Sequence, residues 1–412
     1  MKWGASVGEG SSLATALRAA TLGVREQLGE EVPDFALVFV SPLYQAAARH
    51  VPDLLRRELN PRYWMGCSAD GVIGGGQEVE YRPAVAVVAA LLPEVRLRVF
   101  HLEYADLGTL GWDDDHWREL TGVRAGHPAQ FLLLADPFSF NAGHGMRQMD
   151  IIYPGVAKVG GMVSGGSGPG GNLLWTDGRL DHTGLTGVAM QGDIQLDTIV
   201  AQGCRPIGNP MFVTRQRDNV LLELDGRRPD EVLTELIKES AERDQHLVHG
   251  ALFLGLAMTP AQVTYRPGDF LIRNLMGLNP DTGALTIGNN LEPHQVVQFH
   301  VRDARSAREE LIRLLGEYRQ GQPGPLAGSF LCSCLGRGSG MFGRANHDSD
   351  LFRQCIGDVP LGGFFGNGEI GPVAGQTFLH GYTSAFGLFR PWAGEDAGAR
   401  EPEAAGDPPG AV

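Results

Sequence analysis

Cysteine is scarce: five residues in a chain of 412. An odd number in a large chain gives no disulfide framework and fits a reducing, cytoplasmic setting. Long hydrophobic runs are missing too, so no membrane-spanning helix is expected. The N-terminus has no apolar core behind a basic start, which argues against a signal peptide. Basic charge is short. Against 48 Asp and Glu stand 34 Lys and Arg, a net charge of −14, and this balance argues against a nucleic-acid partner, which needs a concentrated basic face. Twelve histidines show no metal-ligand spacing. Cys332 and Cys334, two apart on a strand, lack the matching pair of a metal site, so neither metal nor cofactor is expected. The Gly-Gly-Ser-Gly string at 165–168 lacks the lysine and helix of a phosphate loop, and no G-x-G-x-x-G dinucleotide fingerprint stands out.

Glycine is in excess, at 58 residues, about twice the ordinary share. These glycines fall in turns between β-like runs, where they allow positive φ and close backbone approach. The length, with a hydrophobic fraction of 43%, provides for two or three domains with ample cores. One pattern occurs three times. A short apolar strand is followed by a helix-length segment, a strand entering a glycine-rich turn, and a second apolar strand. The copies read 36–41, 66–74 and 84–88; then 131–136, 160–166 and 187–190; then 329–334, 362–371 and 378–383. In each, about 30 residues separate the first strand from the glycine turn, the length of a β-α-β unit. The expected fold class is α/β: two domains of mixed sheets flanked by helices, built on three repeated β-α-β-β units with glycine-rich turns gathered on one rim.

Residues up to about 30 read as an amphipathic helix, with Leu13, Leu17, Ala20, Val24 and Leu28 at helical spacing. Residues 42–59 read as the first crossover helix, and 104–130 as an irregular insert. A hairpin joins 210–214 to 220–224 around Asp218 and Asn219. Strands at 251–258, 269–276, 284–287 and 296–301 suggest an antiparallel meander. Ser306-Ala-Arg-Glu309 has the form of a capping box, and His347-Asp348 opens a helix with Asp348 or Asp350 as cap. The expected domains are an N-terminal helix at 1–33, a first domain at 34–228, a second at 229–388, and a disordered acidic Gly/Pro/Ala tail at 389–412.

Several strings carry a resemblance. Gly66-Cys-Ser-Ala-Asp-Gly-Val-Ile-Gly74, and Cys204-Arg-Pro-Ile-Gly-Asn-Pro210 with its hairpin, resemble the FIST N-terminal domain. The second half resembles the FIST C-terminal domain in Phe270-Leu-Ile-Arg-Asn274, Gln298-Phe-His-Val-Arg-Asp-Ala304, Cys334-Leu-Gly-Arg-Gly338, Gly366-Asn-Gly-Glu-Ile-Gly-Pro372 and His380-Gly-Tyr-Thr383. Together they span about residues 34–385. The resemblance implies a sensory module that binds a small polar ligand, an amino acid or related metabolite, and a possible signalling protein partner. It supplies no catalytic residues. Larger members carry signalling modules or an F-box, and this chain has no room for one beside the paired domains.

The glycine turns are candidate ligand loops, because loops beyond strand carboxyl ends converge in open α/β sheets. The plain alternative is that these glycines only make tight turns. Glu369 is a charge among Gly, Phe and Ile, and Arg337 and Arg302 each follow an apolar strand. Buried charges need partners. Two readings stand: an internal Arg–Glu pair, or a zwitterion site in which an arginine forks onto a carboxylate and Glu369 accepts from an ammonium. The candidate ligand-binding residues are Cys67, Ser68, Arg302, Arg337, Asn367, Glu369 and His380. Cys67 lacks a neighbouring base in the sequence, so a packing or binding role is favoured over a nucleophilic one. The resulting reading is a small-ligand-binding sensor with no catalytic residue assigned. The alternatives are a cysteine-dependent hydrolase or transferase using Cys67 or Cys334, and a protein-interaction adaptor.

Overall fold

The computed structural model describes residues 1–110, 114–124, 127–239, 247, 250–259, 262, 264–266, 268–321 and 324–392. The molecule is α/β, with three six-stranded mixed sheets flanked by helices and, beside them, a closed six-stranded barrel. In the first sheet the order is Lys2–Glu9, Ala84–Leu91, Phe35–Val40, Tyr63–Ser68, Leu174–Thr176 and Arg179–Asp181. In the second it is Val95–Leu102, Leu185–Gly192, Gln130–Ala135, Lys158–Met162, Glu369–Val373 and Gln376–His380. In the third it is Gln195–Gln202, Thr383–Arg390, Gly328–Cys334, Leu361–Gly366, Gly71–Gly74 and Gln77–Glu80.

The three orders have one plan. In each, the apolar opening strand pairs parallel with its glycine-bearing strand and antiparallel with the later apolar strand. The hairpin that follows each glycine strand leaves for a neighbouring sheet. Residues 71–80 complete the third sheet, the 369–380 hairpin the second, and the 174–181 hairpin the first. Opening strands such as Phe35–Val40 and Gln130–Ala135 are buried throughout, which is why they read as continuous apolar runs rather than alternating ones.

Glycine is required where these strands pair. A Cβ on Gly66, Gly160 or Gly363 would lie 2.1, 1.8 and 1.8 Å from the carbonyl oxygens of Val38, Leu133 and Leu331. Only a residue without a side chain lets the partner strand approach so closely. The sheets enclose one core, to which Phe39, Leu134, Val188, Phe330, Phe364 and Phe389 contribute. Phe39 and Phe364 stack at 5.1 Å, and burial of each ring is worth about 1.5–3 kcal/mol. The amphipathic helix Leu13–Leu28, capped by Ser12, covers the first sheet; Ala142–Ile152 lies on the second, and Ala304–Gly321 with His347–Ile356 on the third.

The barrel runs Cys204–Arg217, Val220–Leu224, Leu285–Ile287, Phe270–Leu278, Leu252–Ala257 and Val296–Arg302. Leu254, Leu256, Val297, Phe299 and Val301 fill its interior. Its outer face, with Cys204, Phe253, Phe270 and Ile272, packs on Tyr382 of the sheet body. The barrel and the second and third sheets take strands from both sides of residue 228, whereas the first sheet is drawn wholly from residues 2–181.

Several local expectations change. The strand Lys2–Glu9 precedes the N-terminal helix, pairing with Ala84–Leu91 through its buried Trp3 and Ala5. The first crossover is split into a 3-10 turn, Pro42–His50, and a short helix, Val51–Glu58, with Pro52 at the break. The 104–130 insert contains the helices Asp106–Leu110 and Asp114–Thr121. Asp303, not Ser306, caps the helix from Ala304: its carboxylate accepts from the Arg305 amide and the Ser306 hydroxyl. Asn346 stands at the start of His347–Ile356, and Asp348 turns inward. Residues 378–383 are not one strand: the hairpin ends at His380, and the closing strand Thr383–Arg390 begins after a turn. The expected tail lies, from residue 393 onward, outside the described residues.

Candidate functional site

The three glycine turns meet. The Ser68 hydroxyl donates to the Ser164 carbonyl at 2.8 Å, and the Ser164 hydroxyl donates to the Phe365 carbonyl at 2.6 Å. The Asp70 amide donates to the Ser164 hydroxyl, and the Asn367 amide group donates to the Val163 carbonyl. Ser68 and Ser164 are buried. The turns therefore saturate one another, and their hydrogen-bonding groups face inward. Cys67 packs in the apolar core beneath them, and burial pushes its thiol well up. In the 165–172 loop the Asn172 side chain donates to the Asp136 carboxylate and accepts from the Gly166 amide. A carboxylate under that loop disfavours a phosphate there.

Beyond the third turn lies a buried ionic network. Arg337 is fully buried and donates from Nε and Nη2 to Asp348, at 3.0 and 2.9 Å. Asp348 also accepts from Ser333, His347 and Ser384. Burial opposes its ionisation, but Arg337 and these donors hold the carboxyl far below the ordinary range. Among the described residues the Arg337 Nη1 has no partner. Glu369 is wholly buried. Its Oε2 accepts from the Thr383 hydroxyl at 2.6 Å and the Thr383 amide at 3.1 Å, and its Oε1 has no partner among the described residues. Burial pushes this carboxyl up to about 8, against the pull of Thr383, Cys334 and Arg337. The internal Arg–Glu pair, one of two readings of the sequence, is not formed by Arg337, whose carboxylate partner is Asp348.

The network faces the barrel. Tyr382 has positive φ, packs on Phe253 at 4.4 Å, and donates to Asn274 of the barrel. Arg302 reaches in from the barrel edge, with its guanidinium 5.7 Å from the Tyr382 ring centre and Nη1 donating to the Gly336 carbonyl. Arg273 donates to the Leu379 and Ile272 carbonyls and to Asn289. Gly203 and Gly336 keep the surroundings open: a Cβ on either would come within 3.2 Å of Arg337 Nη1 or 3.1 Å of Arg302 Nη1. His380, opposite Glu369 on the paired strand, donates from Nε2 to the Gly371 carbonyl and leaves Nδ1 without a partner. Burial lowers it to about 4, so the ring is neutral.

Residues 34–227 match the FIST N domain and residues 230–372 the FIST C domain. The chain belongs to the FIST family. FIST domains are sensory, small-ligand-binding domains. This FIST protein is 36% identical over 391 residues to the uncharacterized protein Rv0628c of Mycobacterium tuberculosis (strain ATCC 25618 / H37Rv), covering 94% of this chain and 100% of that one. It is 34% identical over 367 residues to the uncharacterized protein Mb0898c of Mycobacterium bovis (strain ATCC BAA-935 / AF2122/97), covering 89% and 92%.

Of the residues singled out in the FIST sequence, Arg302, Arg337, Glu369 and His380 gather at the sheet–barrel junction, whereas Cys67, Ser68 and Asn367 lie in the interlocked turns behind it. Four participants were missed. Asp348 resembled a helix cap, Arg273 an ordinary strand residue, and Tyr382 with Thr383 merely closed a family string. A cavity of about 490 Å³ lies elsewhere, lined by Gln27, Gly76, Arg353 and Leu361. It touches the network only through Ser349, whose amide donates to buried Glu78. The unpartnered atoms of Arg337 and Glu369 lie at the junction and not in this cavity. Among the described residues no group of three or more His, Cys, Asp or Glu is placed to hold a metal ion, and no helix is long and apolar enough to cross a membrane.

Proposed function

We propose that this FIST protein is a sensor for a small polar metabolite, such as an amino acid, received between the sheet body and the barrel. One observation carries the reading: a wholly buried guanidinium and a wholly buried carboxyl each hold one polar atom without a partner, Arg337 Nη1 and Glu369 Oε1. Leaving such atoms unmade costs about 1–3 kcal/mol apiece, a cost that a ligand supplying both partners removes. Arg302 and Tyr382 bring in the barrel side, so binding changes how the two bodies meet. A ligand shifts a conformational population only through differential affinity, and groups drawn from both bodies provide it. A downstream protein would then read the barrel's position.

The cysteine-dependent alternative is disfavoured by burial. The Cys67 and Cys334 thiols are both pushed up by burial, opposite to the activation a nucleophile needs. Thermal-shift screening against amino acids and small organic acids tests the sensor reading. A true ligand at a hundredfold excess over its Kd adds about 2.7 kcal/mol. Stabilisation that survives both Glu369→Gln and Arg302→Gln undiminished, or no stabilisation by any compound, sinks the proposal.

A further inference from the structure

The charges at the junction do not balance, and the imbalance has a sign. Arg337 is matched by Asp348, and Arg205 by Asp303 at 2.9 Å. Arg302 and Arg273 are different: among the described residues no carboxylate pairs with either. Arg302 has only the Gly336 carbonyl and the Tyr382 ring, and Arg273 only carbonyls and an amide. Glu78 and Glu80 lie on the Asp348 side of the pair, and the other buried carboxyls whose field reaches Arg273 or Arg337 are Glu369 and Glu310. Both are pushed up by burial, to about 8 and about 7, so neither is fully ionised at neutral pH. Among the described residues Arg302 and Arg273 thus have only carbonyl, amide and ring partners and Arg337 keeps Nη1 without one, in a chain whose net charge is −14. A local cationic seam on an acidic protein is costly unless an anion completes it.

We infer that the ligand is a small acid with two carboxylates and a net negative charge, one carboxylate meeting Arg337 Nη1 and the other the open edge of Arg302. This deepens the sensor reading and rests on it. Two guanidiniums anchored separately, one by Asp348 and one by Gly336 and Tyr382, match two planar groups better than one tetrahedral anion. Glu369, holding its proton, acts as a hydrogen-bond donor to the ligand rather than as a counter-ion for an ammonium. The zwitterion arrangement expected from the sequence is thereby altered: an ammonium is tolerated, and a second carboxylate is required.

The test is calorimetric titration of the full-length protein at neutral pH with succinate, L-aspartate, L-leucine and inorganic phosphate. Succinate and L-aspartate are expected to bind and L-leucine not to. Arg302→Gln is half-buried and spares the Arg337–Asp348 pair, so the fold is retained; it should weaken succinate binding about tenfold or more, the value of a charged hydrogen bond. Arg302→Lys should recover part of the loss, and the exposed Arg62→Gln none of the effect. Binding of L-leucine with equal or greater affinity overturns this inference while leaving the sensor reading standing. Binding of phosphate alone overturns the dicarboxylate class. Affinity for succinate unchanged in Arg302→Gln overturns the site. Should none of the four bind, and no compound stabilise the protein in the thermal-shift screen, both readings fall.

Discussion

Arg337 is locked to Asp348 by two parallel bonds of 3.0 and 2.9 Å, while its remaining nitrogen, Nη1, points to no acceptor. The pair is therefore both a brace and an open hand. Replacing Asp348 with Asn should strand a buried cation and destabilise the protein by about 3–5 kcal/mol. Urea denaturation checks it. The double variant Arg337→Met, Asp348→Leu should recover most of that loss, since apolar replacements of a buried pair are often neutral.

Glu369 gives a pH dependence of known sign. Its carboxyl, raised to about 8 by burial, holds a proton that the unfolded chain releases near pH 4.3, the ordinary glutamate value. The folded state therefore binds more protons between these limits. The contribution is fully present below the unfolded value and is lost as pH rises toward 8, by about 1.4 kcal/mol per unit at most. Glu78, raised to about 7 by burial and by Asp348, acts in the same direction. In Glu369→Gln the decline in stability from pH 5 to 8 should be shallower than in the wild type, as measured by denaturant midpoints across that range.

Asp348 acts oppositely and at lower pH. Its depressed carboxyl stabilises the fold above the unfolded aspartate value, about 3.9, and that stability drains away as pH falls below it. Acid unfolding should begin at higher pH in Arg337→Met, where the cation that depresses Asp348 is gone. A pH titration followed by circular dichroism would show it.

Thiol chemistry separates the sensor from the cysteine enzyme. Cys67, Cys204, Cys332 and Cys334 are buried, with burial raising each thiol, and Cys355 is half-buried. Labelling the native protein with a disulfide reagent at neutral pH should modify Cys355 first and the other four only on unfolding. Rapid native labelling of Cys67 or Cys334 would contradict this.

The close strand approach makes a steric prediction. Gly363→Ala places a methyl group 1.8 Å from the Leu331 carbonyl oxygen. Because the obstacle is backbone rather than a movable side chain, the loss should exceed about 2 kcal/mol. Gly375→Ala, where nothing lies within 4 Å but φ is +80°, should cost only about 1 kcal/mol. Thermal denaturation of the two variants side by side decides it.

Much of the fold was legible because glycine and apolar runs answer to local sterics. The runs at 36–41, 131–136 and 329–334 are strands within a residue of the bounds read from the chain, and Gly66, Gly160 and Gly363 stand in the strands paired parallel with them. The position of Glu369 was legible for a different reason: a carboxyl between glycine and isoleucine has few ways to reach water. What was hidden is long-range. Strand periodicity does not tell which sheet receives a hairpin, so the departure of residues 71–80 to the third sheet left no local mark. Asp348 looked like a cap because helix-start chemistry and a buried ion-pair partner use the same residue. Arg273 gave no signal, since its partners are carbonyls set by tertiary packing.

The crossing of those hairpins has a consequence for cooperativity. Cutting the polypeptide between the two matched family segments would strip the second sheet of its terminal hairpin and divide the third sheet and the barrel, leaving raw β-edges prone to aggregate. Only the first sheet lies wholly within one fragment, so amide protection in the second sheet, the third sheet and the barrel should rise and fall together in hydrogen exchange rather than as separate foldons. Tightening at one seam is then felt throughout the scaffold, the mechanical condition under which a single bound molecule can set the state of the whole.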